Sequence, residues 1–137
     1  MQQVKLTRDK MMPMIFEACP SFIPKYEAEV EYYEGEVILY NLLGDLATHL
    51  RELHRQGKES EFPAVSAIVE QWLIEGDDYV INAAVIGFLE SIQNTWNDED
   101  TTPEEFVPYL QPLSKKWWDY LNDWWDGKEL PKEYPAL

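Results

Sequence analysis

Residues 79–96 constrain the fold more than any other segment, because as a helix they would be apolar around most of the circumference. Two adjacent stripes run along this helix: Val80, Ala84, Phe88 and Ile92 in one, and Ile81, Val85 and Leu89 in the other. A helix that is apolar on nearly every side belongs inside a protein core. Ala83, Ala84 and Gly87 leave one side small enough for a neighbouring helix to approach closely. We therefore predict an all-α fold with this helix at its centre. The residues predicted to be buried are Ala84, Phe88, Leu89 and Ile92.

Helical periodicity continues along nearly the whole chain. Leucines at steps of four and three form one stripe on a third helix, at Leu39, Leu43, Leu46, Leu50 and Leu53. Gly57 is placed to end that helix, Ser60 to cap the fourth, and Gly76 to end it. Asp77 or Asp78 then caps the central helix, so only a few residues connect the fourth helix to the fifth. Because this connection is so short, the two helices must fold back as an antiparallel pair.

The remaining elements follow from shorter signals. We predict helices over residues 11–18 and 26–34, a short helix after the capping box of Thr102 and Glu105, and a last helix from Pro112 to about Gly127. A short strand within residues 27–33 is the one alternative to helix. A chain of 137 residues fits one domain, 1–137, so the expectation is a bundle of about six helices with an extended tail from about residue 128.

The charge is strongly one-sided. The net charge is −15, and no lysine or arginine occurs between Glu61 and Ser114. The stretch carries eleven carboxylates: Glu61, Glu70, Glu75, Asp77, Asp78, Glu90, Asp98, Glu99, Asp100, Glu104 and Glu105. Like charges on a folded surface repel one another and cost stability. A basic protein partner would supply the missing positive charge.

The same charge argues against other partners. A polyanion needs lysines and arginines to replace its counterions, so nucleic acid is not expected as a ligand. The same argument disfavours binding to anionic membranes. No apolar run is long enough for a membrane span, and the polar start, Met1 to Lys10, does not resemble a signal peptide. We therefore expect a soluble cytoplasmic protein, with its oligomeric state open.

Few residues suggest catalysis or a cofactor. Cys19 is the one cysteine and lies among apolar residues, as a buried small side chain would. His49 and His54 point to different sides of their helix, and Asp45 with His49 gives at most two ligands, whereas a metal needs more. Asp98, Glu99 and Asp100 lack the alternating oxygen ligands and glycine of an EF-hand. We predict no catalytic residue, no metal and no cofactor.

The segment DYVINAAVIGFL, at 78–89, resembles the second half of a HEAT-type helical repeat. Such repeats have an aspartate-led turn, then valine, paired alanines and a late leucine. Ile81 stands where that family usually has arginine, and a single such unit is visible, which rules out a long solenoid. The resemblance implies a helical hairpin near the centre of the fold.

In size, acidity and helical character the whole chain also resembles the small immunity proteins that bacteria encode beside polymorphic or contact-dependent toxins. In that class an acidic surface covers a basic toxin, often a nuclease. The resemblance implies that this chain neutralises such a partner without covalent chemistry.

The predicted partner-binding residues fall into three groups. Asp77 and Asp78 lie on the helical turn, and Asp98, Glu99 and Asp100 lie on an acidic loop. Trp118 and Trp125 belong to a tryptophan-rich terminal helix, where exposed aromatics could anchor an interface. Two alternatives stay open: a non-enzymatic helical adaptor or self-associating protein, and an uncharacterised helical enzyme built on buried carboxylates or on Asp45 and His49.

Overall fold

The computed structural model describes residues 4–125. Within that range all the regular elements are helices, and no strand is present. The α-helices are α1 (Met11–Ala18), α2 (Ile23–Tyr32), α3 (Leu39–Arg55), α4 (Phe62–Glu75), α5 (Asp78–Asn82), α6 (Glu90–Thr95) and α7 (Pro112–Trp125). A π-helical segment, Ala83–Leu89, joins α5 to α6, so that residues 78–95 form one continuous helix, the central rod. Short 3₁₀ helices occur at Arg8–Lys10, Pro20–Phe22 and Pro103–Tyr109.

The predicted all-α single domain is confirmed. The alternative strand within residues 27–33 is wrong, because α2 continues as helix to Tyr32. The predicted tail from about residue 128 lies outside the described residues. No described helix is both long enough and apolar enough to cross a membrane.

The central rod is the core of the molecule, as its sequence predicts. The residues predicted to be buried have no exposed surface: Ala84, Phe88, Leu89 and Ile92. Helix α3 packs along the rod at Gly87, where an added Cβ would lie 2.9 Å from Leu43 Cδ1. The small side of the rod therefore permits the close helix contact that the sequence indicated. The sequence does not predict the π-helical segment, because apolar periodicity does not distinguish one wide π turn from the regular α turns around it.

The helix boundaries depend on specific capping residues. Gly57 ends α3 with a φ of +71°, and the backbone amide of Lys58 bonds the carbonyl of Leu53 over 2.8 Å. Asp77 caps the rod, its carboxylate accepting a 2.9 Å hydrogen bond from the backbone N–H of Val80. The prediction that Ser60 caps α4 is wrong: the N-cap position is Glu61, and Pro63 lies in the first turn.

Helix α7 is docked by a buried carboxylate from another helix. Glu70 on α4 accepts backbone hydrogen bonds from Leu113 and Ser114, both over 2.9 Å, and a third from Ser114 Oγ over 2.8 Å. These are donors that the first turn of a helix cannot satisfy by itself. Glu70 therefore serves as a cap supplied across the bundle. Trp117, Trp118 and Leu121 then pack into the core.

Candidate functional site

Two of the three carboxylates in the acidic loop at residues 97–101 pair with arginines of helix α3. Arg55 donates hydrogen bonds to Asp98 over 2.8 Å and to Asp100 over 2.6 Å. Arg51 lies 3.5 Å from Asp98 and also donates to the backbone carbonyl of Thr95 over 2.7 Å. The positive charge that this stretch lacks in sequence is thus supplied from within the fold.

His54 extends the same network. Its Nδ1 contacts Glu59, its Nε2 lies 2.9 Å from Glu105, and its ring stacks on Trp96 with 4.9 Å between centroids. Partial burial lowers the pKa of His54, but the hydrogen bonds to Glu105 and Glu59 outweigh it and raise the pKa above its ordinary value. A bond from Tyr109, then one from His54, lowers the pKa of Glu59. We name Arg51, His54, Arg55 and their carboxylates the α3–loop network.

The predicted acidic residues form two separate patches. Asp77 and Asp78 begin the central rod and Asp98–Asp100 follow its end, roughly 25 Å apart for a helix of that length. Asp77 serves as a cap, while Asp78 is exposed. Asp98 and Asp100 are paired, and Glu99 is exposed with no ion pair among residues 4–125.

The prediction that Trp118 is an exposed anchor is wrong. Its side chain is 1% exposed, because a wide apolar part of the α7 circumference packs against α4 and the central rod. Gln93 donates a buried hydrogen bond of 3.2 Å to the Trp118 carbonyl, which fixes that helix further. The side chain of Trp125, the other predicted anchor, lies outside the described residues.

A different surface combines exposed aromatics with unpaired acids. It covers the end of α2 and the connection to α3, and we name it the acidic–aromatic surface: Glu31, Tyr32, Tyr33, Glu34, Glu36 and Ile38. Tyr32, Tyr33 and Ile38 are 77%, 50% and 61% exposed. Among residues 4–125 no ion pair involves its three glutamates.

The backbone of this surface has an uncommon conformation. Glu34 holds a φ of +54°, which side-chain-bearing residues seldom adopt, and Gly35 follows at +89°. The backbone amide of Gly35 bonds the carbonyl of Val30 over 2.8 Å. The turn therefore fixes Tyr33 and the neighbouring glutamates on the end of α2. The sequence signal, glutamates around a Tyr-Tyr pair with no lysine or arginine from residue 26 to residue 50, was available.

A second group missed by sequence reasoning joins α1, α3 and α4. Cys19, Ser21, His49 and Glu61 converge here, and we name them the polar cluster. Ser21 Oγ lies 2.8 Å from His49 Nε2 and 3.6 Å from Cys19 Sγ, and it also contacts Glu61. Cys19 Sγ is 3.7 Å from Glu61 Oε1. No local signal could reveal this group, since Cys19 and Glu61 are 42 positions apart.

The protonation states of the cluster disfavour nucleophilic catalysis. Burial raises the pKa of the Cys19 thiol to about 11, so the reactive thiolate is scarce at neutral pH. Burial also lowers the pKa of His49, with Lys25 adding to the effect. In a serine–histidine–acid triad the acid bonds the far nitrogen of the histidine. Here Glu61 bonds Ser21, and His49 Nδ1 is buried with no hydrogen-bond partner among the described residues. Asp45 is the residue that the enzyme alternative pairs with His49. Burial raises the pKa of Asp45, and the nearby Glu29 raises it further.

The fold, its capped helices and these surfaces define an all-α, single-domain protein of one central rod with helices packed around it. The chain belongs to the family described as a domain of unknown function (DUF7674), whose model matches residues 12–126. No curated protein and no solved structure matches the chain. The resemblances to HEAT repeats and to immunity proteins stay predictions.

Proposed function

We propose that this chain is a non-enzymatic binding protein that holds a basic protein partner through the acidic–aromatic surface. Its simplest form is a cytoplasmic immunity protein that masks the active surface of a bacterial toxin, as the resemblance in size and charge implies. The HEAT-like pair of α4 and the central rod would then serve as scaffold rather than as the binding face.

The observation that supports the proposal is the coincidence of exposed aromatics with unpaired carboxylates. Tyr32 is 77% exposed beside Glu31, Glu34 and Glu36. Tyrosines anchor interfaces because they bury a large area at low conformational cost. Carboxylates around them steer a positively charged partner during encounter.

The backbone at this place supports the same interpretation. Backbone strain in folded proteins clusters at ligand-binding and active sites, where the surrounding structure holds it in place. Glu34 is the one non-glycine residue among residues 4–125 with a positive φ, and it lies in the middle of this surface. The turn presents its side chain and that of Tyr33 without the freedom of a long loop.

Charge also separates the proposal from its alternatives. Self-association through this surface would bring glutamates of two copies together, which is unfavourable. The adaptor hypothesis differs only in the partner. The enzyme hypothesis needs an activated group, and the polar cluster offers a protonated thiol and a histidine lacking a triad acid.

The test begins with a basic protein encoded immediately beside this chain, purified in inactive form. The association rate constant is measured by surface plasmon resonance over a series of salt concentrations. We expect association to slow as salt rises, with a smaller change in dissociation. Glu34→Lys with Glu36→Lys should slow association, and Tyr32→Ala with Tyr33→Ala should speed dissociation. Co-expression should protect cells from the active partner.

The matched control is Asp98→Asn with Asp100→Asn, which removes two charges that are already paired in the α3–loop network. It should change association far less than Glu34→Gln with Glu36→Gln, which removes the same number of charges from the acidic–aromatic surface. An acidic partner, or an association rate that ignores salt, would contradict the proposal. Equal losses in both pairs of variants would place the interface elsewhere, and Asp77 with Asp78 would be the next residues to change.

A further inference from the structure

We propose that Cys19, His49 and Glu61 of the polar cluster form a binding site for a zinc ion. One candidate ligand atom from each residue lies within 4.8 Å of the others. Thiolate, imidazole and carboxylate are the three ligand types that zinc takes in proteins. The inference goes beyond the proposed binding function and uses none of the residues of the acidic–aromatic surface.

The geometry requires the ligand atoms to approach one another by at most about 1.4 Å. Zinc bonds of the usual length at tetrahedral angles bring ligand atoms to about 3.4–3.6 Å from one another. Cys19 Sγ and Glu61 Oε1 are already 3.7 Å apart. The ligands come from rigid places: Cys19 ends α1, His49 lies within α3, and Glu61 is the N-cap residue of α4. An ion would therefore tie three helices together.

Hydrogen bonding in the cluster leaves a specific deficit. Ser21 Oγ contacts Cys19, His49 and Glu61, yet a hydroxyl has one proton to donate. His49 is 5% exposed and its Nδ1 has no hydrogen-bond partner among residues 4–125. A divalent cation bound by Cys19, Glu61 and one nitrogen of His49 would remove the competition for that single proton, with Ser21 or water in the fourth position. Ser21 is exposed, so the ion would enter from that side while Cys19 and His49 close the site from within.

Binding would exchange a proton for the metal. The Cys19 thiol must lose its proton so that the sulfur can bond zinc, and that proton goes to the buffer. His49 binds zinc as the neutral imidazole and Glu61 binds it as the carboxylate. Titration calorimetry in buffers of different ionisation enthalpy should thus find about one proton released for each zinc bound at neutral pH.

The experiment uses the full chain, reduced, freed of metal with a chelator, and kept in excess Mg²⁺ so that the acidic surface is already occupied. We expect one Zn²⁺ per chain. Cys19→Ala, His49→Gln and Glu61→Gln should each weaken binding by at least about 100-fold, since even residues that merely orient ligands cost up to that factor. His54→Gln, the change of the other histidine, should retain the affinity. Co²⁺ should give a sulfur-to-metal charge-transfer band that Cys19→Ala removes.

Zinc affinity unchanged in Cys19→Ala, or a cobalt complex without that band, would overturn the proposal and assign cation binding to the acidic surface. Circular dichroism identifies any variant that fails to fold, and Cys19→Ser then replaces Cys19→Ala as the closest isostere. Absence of binding in the native chain would also overturn the site. Because the acidic–aromatic surface shares no residue with it, that failure would leave the proposed partner binding intact.

Discussion

The two ends of helix α3 carry similar negative charge in opposite states. At the C-terminal end, Arg51 and Arg55 pair with acids of the loop, and His54 pairs with Glu59 and Glu105. At the N-terminal end, about 25 Å away for a 17-residue helix, the acidic–aromatic surface contains no cation at all. The comparison teaches that the number of acidic residues in a stretch does not tell which of them a partner can use. A carboxylate already bonded by arginine must lose that bond before it can bind anything else.

The difference also predicts where the molecule carries uncompensated repulsion. The α3–loop network replaces repulsion with several hydrogen-bonded pairs, which together hold a loop that has little apolar surface. The acidic–aromatic surface has no such compensation, so its glutamates repel one another and cost stability. At the N-terminal end of α3, the unpaired charges that the proposed function needs are therefore expected to lower stability. At the C-terminal end, the paired charges are expected to raise it.

The largest expected effect concerns the support that both ends share. Phe88→Ala opens a cavity in the central rod on which α3 packs, and we expect a loss of about 3–5 kcal/mol in the free energy of unfolding, measured by chemical denaturation. Ile86→Ala is the matched control, since Ile86 lies in the same segment but is exposed. If the two losses are equal, or if Phe88→Ala costs under about 1 kcal/mol, the rod is not the common support of both ends.

The next effect tests the paired end. Arg51→Ala removes the donor to the Thr95 carbonyl and a partner of Asp98, and the Arg51 side chain is only 19% exposed. We expect a loss of about 1–3 kcal/mol in unfolding free energy, in the range for hydrogen bonds that involve a charged group. Lys58→Ala, an exposed lysine on the turn just after α3, should cost under about 0.5 kcal/mol. Equal effects would mean that the network contributes no more than an ordinary surface charge.

A pH titration tests the same end through His54. Because the fold raises the pKa of His54, its stabilising contribution is complete below the ordinary value of 6.5 and is lost as pH rises through the raised pKa. Glu59 and Glu105, whose pKa values are lowered, contribute above their ordinary value of 4.5 and lose that contribution as pH falls through the lowered pKa. Denaturation midpoints should therefore decline above pH 6.5 in the native chain and stay level in His54→Gln. Parallel curves for the two proteins would exclude a protonated His54 between its carboxylates.

The smallest effect belongs to the unpaired end. Glu34→Gln with Glu36→Gln should change the free energy of unfolding by no more than about 0.5 kcal/mol, and any change should be a gain, because repulsion is relieved. Asp98→Asn with Asp100→Asn removes the same charge at the paired end and should lower the denaturation midpoint. Equal changes in stability for the two double variants would mean that the acids at the two ends of α3 do not differ in their pairing.

The sequence predicts the helices well, since each depends on local features. Apolar stripes, Gly57, Gly76 and the Asp77 cap are all read within a few positions, and the structure confirms them. Trp118 was misassigned because a tryptophan-rich helix gives no local sign of how wide an arc it buries. The pairing of Asp98 with Arg55 and of Cys19 with His49 and Glu61 joins residues 30 to 43 positions apart. Such contacts follow from how the helices pack, which periodicity alone does not specify.

The π-helical segment also bears on how this family can change length. A π turn closes its hydrogen bond over one residue more than an α turn does. In an ordinary α-helix one extra residue would rotate everything beyond it by about 100°. The wide turn at residues 83–89 can absorb such a residue, so that α6 still directs Ile92 into the core. Relatives that lack one residue here should therefore have an uninterrupted α-helix in which the segments equivalent to α5 and α6 keep their positions. A one-residue deletion in this segment would change the local turn and leave the fold unchanged.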